Sequence, residues 1–249
     1  WNDGYRDFMK DYVRGNGDGR RMEYFLRGSP WYFAKWPAQS INYTESHDDR
    51  TWIDVITERE DGNGHVPTAH DRRRTHLMAA LLFISVGVPM ISAGQDFLRS
   101  KHGVANTYQR ADLNALDYRR LRRFASTHAY FAEWIAFRRG PLGRLLRHFV
   151  RPAEGFHRFL HIPGGPVLGM FCNADFSHGA TRLLFVINPT LSEFSLGVEA
   201  GLLALERGPW RLAADEERFY APDSPGALMR PETSVFLPGL SCALWVQNG

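Results

Sequence analysis

Two compact apolar runs of strand length flank one long amphipathic stretch, and this arrangement restricts the fold more than any other feature of the chain. Ser40-Ile41-Asn42-Tyr43-Thr44 follows Pro37 and reads as a buried parallel strand. Residues 71–86 place Leu77, Leu81 and Ile84 on one stripe with Met78, Leu82 and Ser85 beside it, which is helical spacing with a wide apolar face. Val88-Pro89-Met90-Ile91-Ser92-Ala93, ended by Gly94, reads as a second buried strand. A strand, helix, strand order needs a crossover, so the two strands are predicted to run parallel.

Around this unit, residues 5–13 and 20–26 have the pattern of short helices, broken by Gly15-Asn16-Gly17-Asp18-Gly19. That break looks like a fragment of a calcium loop but lacks the full ligand series and a closing Glu, so no metal is assigned to it. A long polar loop, 95–117, leads into a helical stretch over 118–139 whose aromatics Tyr130, Phe131, Trp134 and Phe137 read as core. Near Arg147 the pattern changes to short alternating runs between Gly and Pro turns, at 155–162, 167–173, 181–188, 193–198, 233–237 and 241–247. The expected class is α/β plus all-β, with a parallel sheet in the first part of the chain and an antiparallel sandwich after about residue 147. A whole (β/α)8 barrel takes roughly 250 residues, so if one is intended, most of it is expected upstream of Trp1.

The chain begins with Trp1 rather than Met and shows no leader pattern, so its start is read as cut or processed. The longest apolar stretch, 77–88, is far short of the roughly 20 residues of a membrane span, and no membrane partner is expected. The chain is read as soluble, cytoplasmic or secreted. A net charge of +3, with Lys10, Lys35 and Lys101 the only lysines, is too mild to call for a nucleic-acid partner, and the arginines are read as solvated surface. Cys172 and Cys242 lie in strand-like runs and either pair or remain two buried thiols. Asn42-Tyr43-Thr44 has glycosylation spacing, but its place in a core strand argues against modification. His65, His70 and His76 lack zinc-site spacing and read as surface or core histidines.

Polar residues crowd the end of the first strand, in Glu45-Ser46-His47-Asp48-Asp49-Arg50. Loops after barrel strands build the active face, yet adjacent His and Asp also cap helices, and one begins near Thr51-Trp52. From spacing alone His47 and Asp48 fit capping and catalysis equally well.

The segment Ile41-Asn42-Tyr43-Thr44-Glu45-Ser46-His47-Asp48-Asp49 resembles the last conserved region of α-amylase-superfamily enzymes, at the seventh barrel strand. The run from Gly87 through Gln95-Asp96-Phe97-Leu98-Arg99-Ser100-Lys101 is similar to the eighth-strand segment of pullulanases. Asn106-Thr107-Tyr108 and Asp112-Leu113-Asn114-Ala115-Leu116-Asp117-Tyr118 resemble the loop that follows it, and Trp1-Asn2-Asp3-Gly4-Tyr5-Arg6-Asp7 resembles the segment after the fifth strand. Four motifs in the right order mark the chain as similar to the C-terminal portion of a pullulanase-type α-1,6 debranching enzyme, which implies that residues 1–146 are the last strands and helices of a (β/α)8 TIM barrel and 147–249 a C-terminal antiparallel β-sandwich.

The resemblance implies retaining glycoside hydrolysis, in which one carboxylate attacks, a second moves the proton, and the transition state is oxocarbenium-like. It implies that Asp48 is the third carboxylate, a transition-state stabiliser, and that His47 binds a sugar hydroxyl. Tyr108 and Asp112 are further implied substrate contacts. The nucleophilic Asp and the acid Glu of the family belong to the fourth and fifth strands, which these residues do not include, so the isolated chain is expected to be inactive. No cofactor is implied. The implied partners are an α-glucan polysaccharide or oligosaccharide and the N-terminal half of the same enzyme. Glu45 and Asp96 do not fit the missing roles, because Glu45 should point to another side of its strand and Asp96 stands at a helix-entry position. Asp49 replaces a common Asn, and the loop over residues 112–117 is one residue short, with Ala115 where an Arg sometimes meets sugar. Trp31, Tyr32, Phe33 and Trp36 have the chemistry to stack on glucose, but are expected to pack as a loop beneath the strand. Two alternatives stand beside this reading: a non-catalytic glucan-binding or assembly module, and another superfamily enzyme, an α-1,4 hydrolase or branching transferase.

Overall fold

A computed structural model describes residues 1–228 and 231–248; of the expected second domain, positions 229, 230 and 249 lie outside the described residues. The chain opens with α1 (Asp3–Tyr12) and α2 (Gly19–Leu26), capped by the side chains of Asn2 and Asp18, which accept the Tyr5 and Arg20 amide hydrogens. Next come β1 (Ile41–Asn42), α3 (Trp52–Ile56) and α4 (Ala69–Ile84). A reciprocal Thr68/Asp71 capping box starts α4 two residues before the periodicity does. The crossover ends at β2 (Val88–Pro89), which pairs with β1 in parallel, Ile41 opposite Val88 and Asn42 opposite Pro89.

Both strands are shorter than expected, and β2 is not buried. Val88 is 43% exposed, and residues 89–92 are half-buried. The physical reason is an open edge: among the described residues no strand lies on the far side of β2. Two apolar clefts of ≈ 270 and ≈ 290 Å³ flank it, walled by Pro37, Val88 and Phe149 and by Phe83, Ile91 and Ile135.

The polar loop contains α5 (Ala111–Asn114). The long helix expected over 118–139 is two, α6 (Arg119–Arg123) and α7 (Ala125–Arg139), because Phe124 leaves helical geometry at φ −116°, ψ 36°. Beyond it lie β3 (His157–His161), β4 (Leu168–Cys172), β5 (Arg182–Asn188), β6 (Phe194–Gly197), α8 (Ala200–Leu203), β7 (Trp210–Asp215), β8 (Ser234–Leu237) and β9 (Ser241–Gln247). They form an antiparallel five-stranded sheet ordered β3-β4-β5-β9-β7 and an antiparallel β6-β8 pair. Strand β7 escaped the sequence reading: a bulge between Leu212 and Ala214 breaks its alternation, and its alanines carry little strand preference.

The period of two along β5 and β9 distributes their side chains between two cores. Leu183, Phe185, Leu244 and Val246 meet Tyr130 and Trp134 of α7, while Leu184, Val186 and Trp245 meet Leu196, Val235 and Leu237 of the strand pair. Cys172 and Cys242 are free and buried, and burial pushes the Cys172 thiol up to about 12.

The aromatic cluster does not pack as expected. Trp31, Tyr32, Phe33 and Trp36 are 67, 93, 45 and 48% exposed. Two backbone bonds, Tyr32 N–H to Pro30 O at 2.9 Å and Ala34 N–H to Ser29 O at 3.0 Å, pinch the loop into a turn that buries Ser29, Pro30 and Ala34 and leaves the rings outside.

Candidate active site

His47 and Asp48 follow the C-terminal end of β1 and stand in solvent, with His47 Nε2 3.3 Å from Asp48 Oδ2. They wall a cleft of ≈ 250 Å³ together with Arg99, Asn106, Thr107, Tyr108 and Asn114. Two segments far apart in sequence therefore converge on one opening. The far wall is held by Thr107 and Asn114, whose side chains bond at 2.7 Å while Asn114 Nδ2 donates to Thr107 O at 2.6 Å. Arg99 also donates to Asn114 O at 3.2 Å. Tyr108 is 84% exposed at the rim, its phenol free for a ligand. Trp1 sits edge-on to His47 with ring centroids 6.1 Å apart, a neighbour that no strand-end argument finds.

Capping of α3 falls to neither His47 nor Asp48. Glu45 Oε2 accepts the Trp52 amide hydrogen at 2.7 Å, so the cap is supplied by a third residue. Glu45 is buried, and burial pushes its carboxyl up to about 7 against the opposing pull of the Trp52 N–H, Arg99, Ser92 and Lys101. Asp54 lies beneath the same loop and receives Thr51 Oγ1 at 2.7 Å, Gly64 N at 2.8 Å, Ser100 Oγ at 2.6 Å and Lys101 N at 2.7 Å. Lys101 Nζ in turn donates to Asp49 O at 2.7 Å, directly behind Asp48. The exposed pair is thus carried on a loop whose underside is fastened by buried polar groups. The Thr51-x-x-Asp54 spacing was the available signal for this support.

Asp112 lies apart from the His47 and Asp48 cleft. It is paired with Arg110 at 2.7 Å, which holds its carboxyl below the usual range. It lines an adjoining cavity of ≈ 350 Å³ that shares Arg99 and includes Ser100 and His102. Asp96 pairs with His128 Nδ1 at 2.5 Å. His76 is buried between Glu216 O at 2.7 Å and Thr127 Oγ1 at 3.0 Å, and His65 stacks on His102. Among the described residues no group of histidine, cysteine and carboxylate side chains has the arrangement of a metal site, and no helix is long and apolar enough to cross a membrane.

With this geometry in place, the likeness to known proteins has a physical footing. The chain is 33% identical to a pullulanase of Bacillus subtilis over 158 residues, covering 54% of this chain and 21% of that protein. It is 28% identical to a glycogen debranching enzyme of Erwinia tasmaniensis over 140 residues, covering 43% and 21%. No protein-family model matches. Among solved structures, pullulanase from Bacillus acidopullulyticus superposes over 99% of this chain and 30% of its own, with a TM-score of 0.82 at 22% identity. A pullulanase from Paenibacillus barengoltzii, in complex with maltohexaose and α-cyclodextrin, matches 99% of this chain and 38% of its own with a TM-score of 0.74. The chain is therefore a relative of pullulanase-type debranching enzymes in sequence over about half its length, and shares their fold over nearly all of it. It spans a fifth to two fifths of the length of these four proteins.

Proposed function

We propose that this chain supplies one side of the active site of a retaining glycosidase that cleaves α-1,6 branches in pullulan, glycogen or starch. The observation that carries the reading is the cleft itself, where the His47-Asp48 motif and the loop from Arg99 to Asn114 meet at the C-terminal end of parallel strands. Active groups belong at that end of such sheets.

A retaining mechanism needs a nucleophile and an acid held about 5 Å apart. The walls of the cleft carry a single carboxylate, Asp48. Glu45 and Asp96 are already committed, to the Trp52 amide and to His128. We therefore assign the nucleophilic Asp and the acid Glu to sequence outside these residues, and the third carboxylate role to Asp48. As positive charge grows at the anomeric carbon, a fixed anion in the closed site lowers the barrier; His47, 3.3 Å away, both orients it and offers a ring N–H to a sugar hydroxyl. Tyr108 at the rim would stack on a neighbouring ring, and Asp112, in the adjoining cavity, would meet a sugar farther along the chain. In this reading residues 1–146 are barrel and 147–249 a sandwich. The open edge of β2 and its apolar clefts support it, because they offer a place for further strands from the remainder of the enzyme.

The bond acted on is tested by product analysis. The enzyme comprising this chain and the rest of its barrel is expected to release linear maltooligosaccharides from pullulan and leave unbranched amylose intact. Cleavage of amylose at a comparable rate would replace the assignment by an α-1,4 hydrolase, and transfer without net hydrolysis by a branching enzyme.

A further inference from the structure

The exposed aromatic loop leads into β1 from its N-terminal end, opposite the His47 and Asp48 cleft, and it borders a cavity of its own. This cavity, ≈ 260 Å³, is walled by Arg27, Pro30, Trp31, Arg151, Glu154 and His157 among others. His157 is 6% exposed, yet its Nε2 is buried without a hydrogen-bond partner among the described residues. The Nε of Arg27 is in the same condition. Leaving buried polar atoms unpaired is costly, and both of these belong to residues that wall the one cavity.

Trp31 gives that cavity an apolar platform. The Arg151 guanidinium lies over one face of the indole, 5.4 Å from its centroid, and is itself anchored to Ala34 O at 3.1 Å and Lys35 O at 3.2 Å. Trp31 is 67% exposed all the same, and it holds φ at 69°, a left-handed conformation that a bulky residue adopts only at a cost. A large aromatic is thus kept in solvent by a strained backbone and a fixed arginine.

The charges favour a neutral ligand. Arg27 is paired with Glu23 at 2.9 Å, one nitrogen of Arg151 is held by two carbonyls, and Glu154 adds a negative charge to the rim. Counted with Glu23, the walls therefore carry no excess positive charge to draw in a phosphate. What the wall offers is a flat apolar face, a donor on Arg27, an acceptor on Glu154 and an imidazole nitrogen that serves as either. Hydroxyl groups both donate and accept, and a pyranose ring presents an apolar face edged by such groups.

From these observations we infer a second sugar-binding site, built on Trp31, Arg27, Glu154 and His157, that holds an α-linked glucose chain away from the catalytic cleft. The sugar class rests on the debranching reading, whereas the site's fitness for a sugar does not.

The test is affinity electrophoresis of the full chain in gels containing glycogen, with maltohexaose, cellohexaose and inorganic phosphate as competitors. The chain is expected to be retarded, with maltohexaose relieving the retardation. Trp31→Ala is expected to weaken binding roughly tenfold, the effect of losing one stacking contact, whereas Trp31→Phe keeps most of it. Absence of retardation, unchanged retardation in Trp31→Ala, or a loss confined to His47→Ala would overturn the site. Relief by phosphate but not by sugar would overturn the choice of ligand. Relief by cellohexaose alone would keep a sugar site on Trp31 while removing the α-glucan class, and the debranching reading would then have to stand on the catalytic cleft alone.

Discussion

Beneath the exposed His47 and Asp48, the neighbouring acid Glu45 is buried and has a different task. Its carboxyl oxygen holds the first amide of α3, and burial raises it to about 7. Because that value lies above the ordinary one, Glu45 contributes stability that is complete below about pH 4.5 and is lost as pH rises through about 7. Glu45→Gln keeps an acceptor for the Trp52 amide without the charge. We expect it to flatten the fall in stability across that window and to stabilise the chain at pH 8, on the order of 2 kcal/mol, as read from urea midpoints at each pH. An identical pH dependence in both proteins would show that Glu45 is not the group that titrates. Sequence made His47 and Asp48 legible as a pair at a strand end and set Glu45 on another side, where it is found buried. Its task as the cap of α3 was not legible, because the strand pairing stops at Asn42 and residues 43–51 follow the loop rather than the pleat. Asp54, with its four donors from three segments, was hidden for a related reason: such convergence is a property of tertiary structure, with only the Thr51 spacing local.

The elements carry a comparable lesson about arginine. Arg138 near the end of α7 is buried, and its guanidinium donates to Phe83 O at 2.5 Å, Ser85 O at 2.9 Å, Gly87 O at 2.7 Å and Leu146 O at 3.4 Å. These are the carbonyls at the end of α4, at the approach to β2 and at the 3-10 turn Leu142–Leu146. One side chain thereby joins the crossover to the last helix. Reading the arginines as solvated surface was right for Arg110 and Arg119, which pair with neighbouring aspartates, but not for Arg138. Arg138→Met fills similar volume and strands the carbonyls, so thermal or urea unfolding is expected to show a loss of about 3 kcal/mol or more; a loss under about 0.5 kcal/mol, the ordinary size for a surface change, would remove it from this role. Helices and strands with clean periodicity were legible, as α4 and β5 show. The bulged β7 and the broken helix at Phe124 were not, since each departs from its period at a single residue.

Across the whole molecule, α7 serves both halves. Trp134 packs edge-to-face against Phe185 of the sheet at 6.5 Å and shares a core with Leu81 and Leu82 of α4, so the change of pattern near Arg147 is not a break in packing. This rigid connection holds the parallel strands in place although one edge of β2 is open, and those strands aim the loops that form the cleft. The parallel crossover and the antiparallel sheet were both readable from hydrophobic period. Which aromatics would remain in solvent was not, because burial depends on what faces a loop, and the pinched turn at Ser29 to Ala34 turns its rings outward. The central claim is that Asp48 stabilises charge in a glucan-cleaving transition state, and the most direct measurement is pullulan turnover by the assembled enzyme with and without Asp48→Asn. The account predicts a fall in kcat of about 10² to 10³ with KM and melting temperature little changed, as expected for an exposed group that acts in the transition state. Unchanged kcat in Asp48→Asn would contradict it.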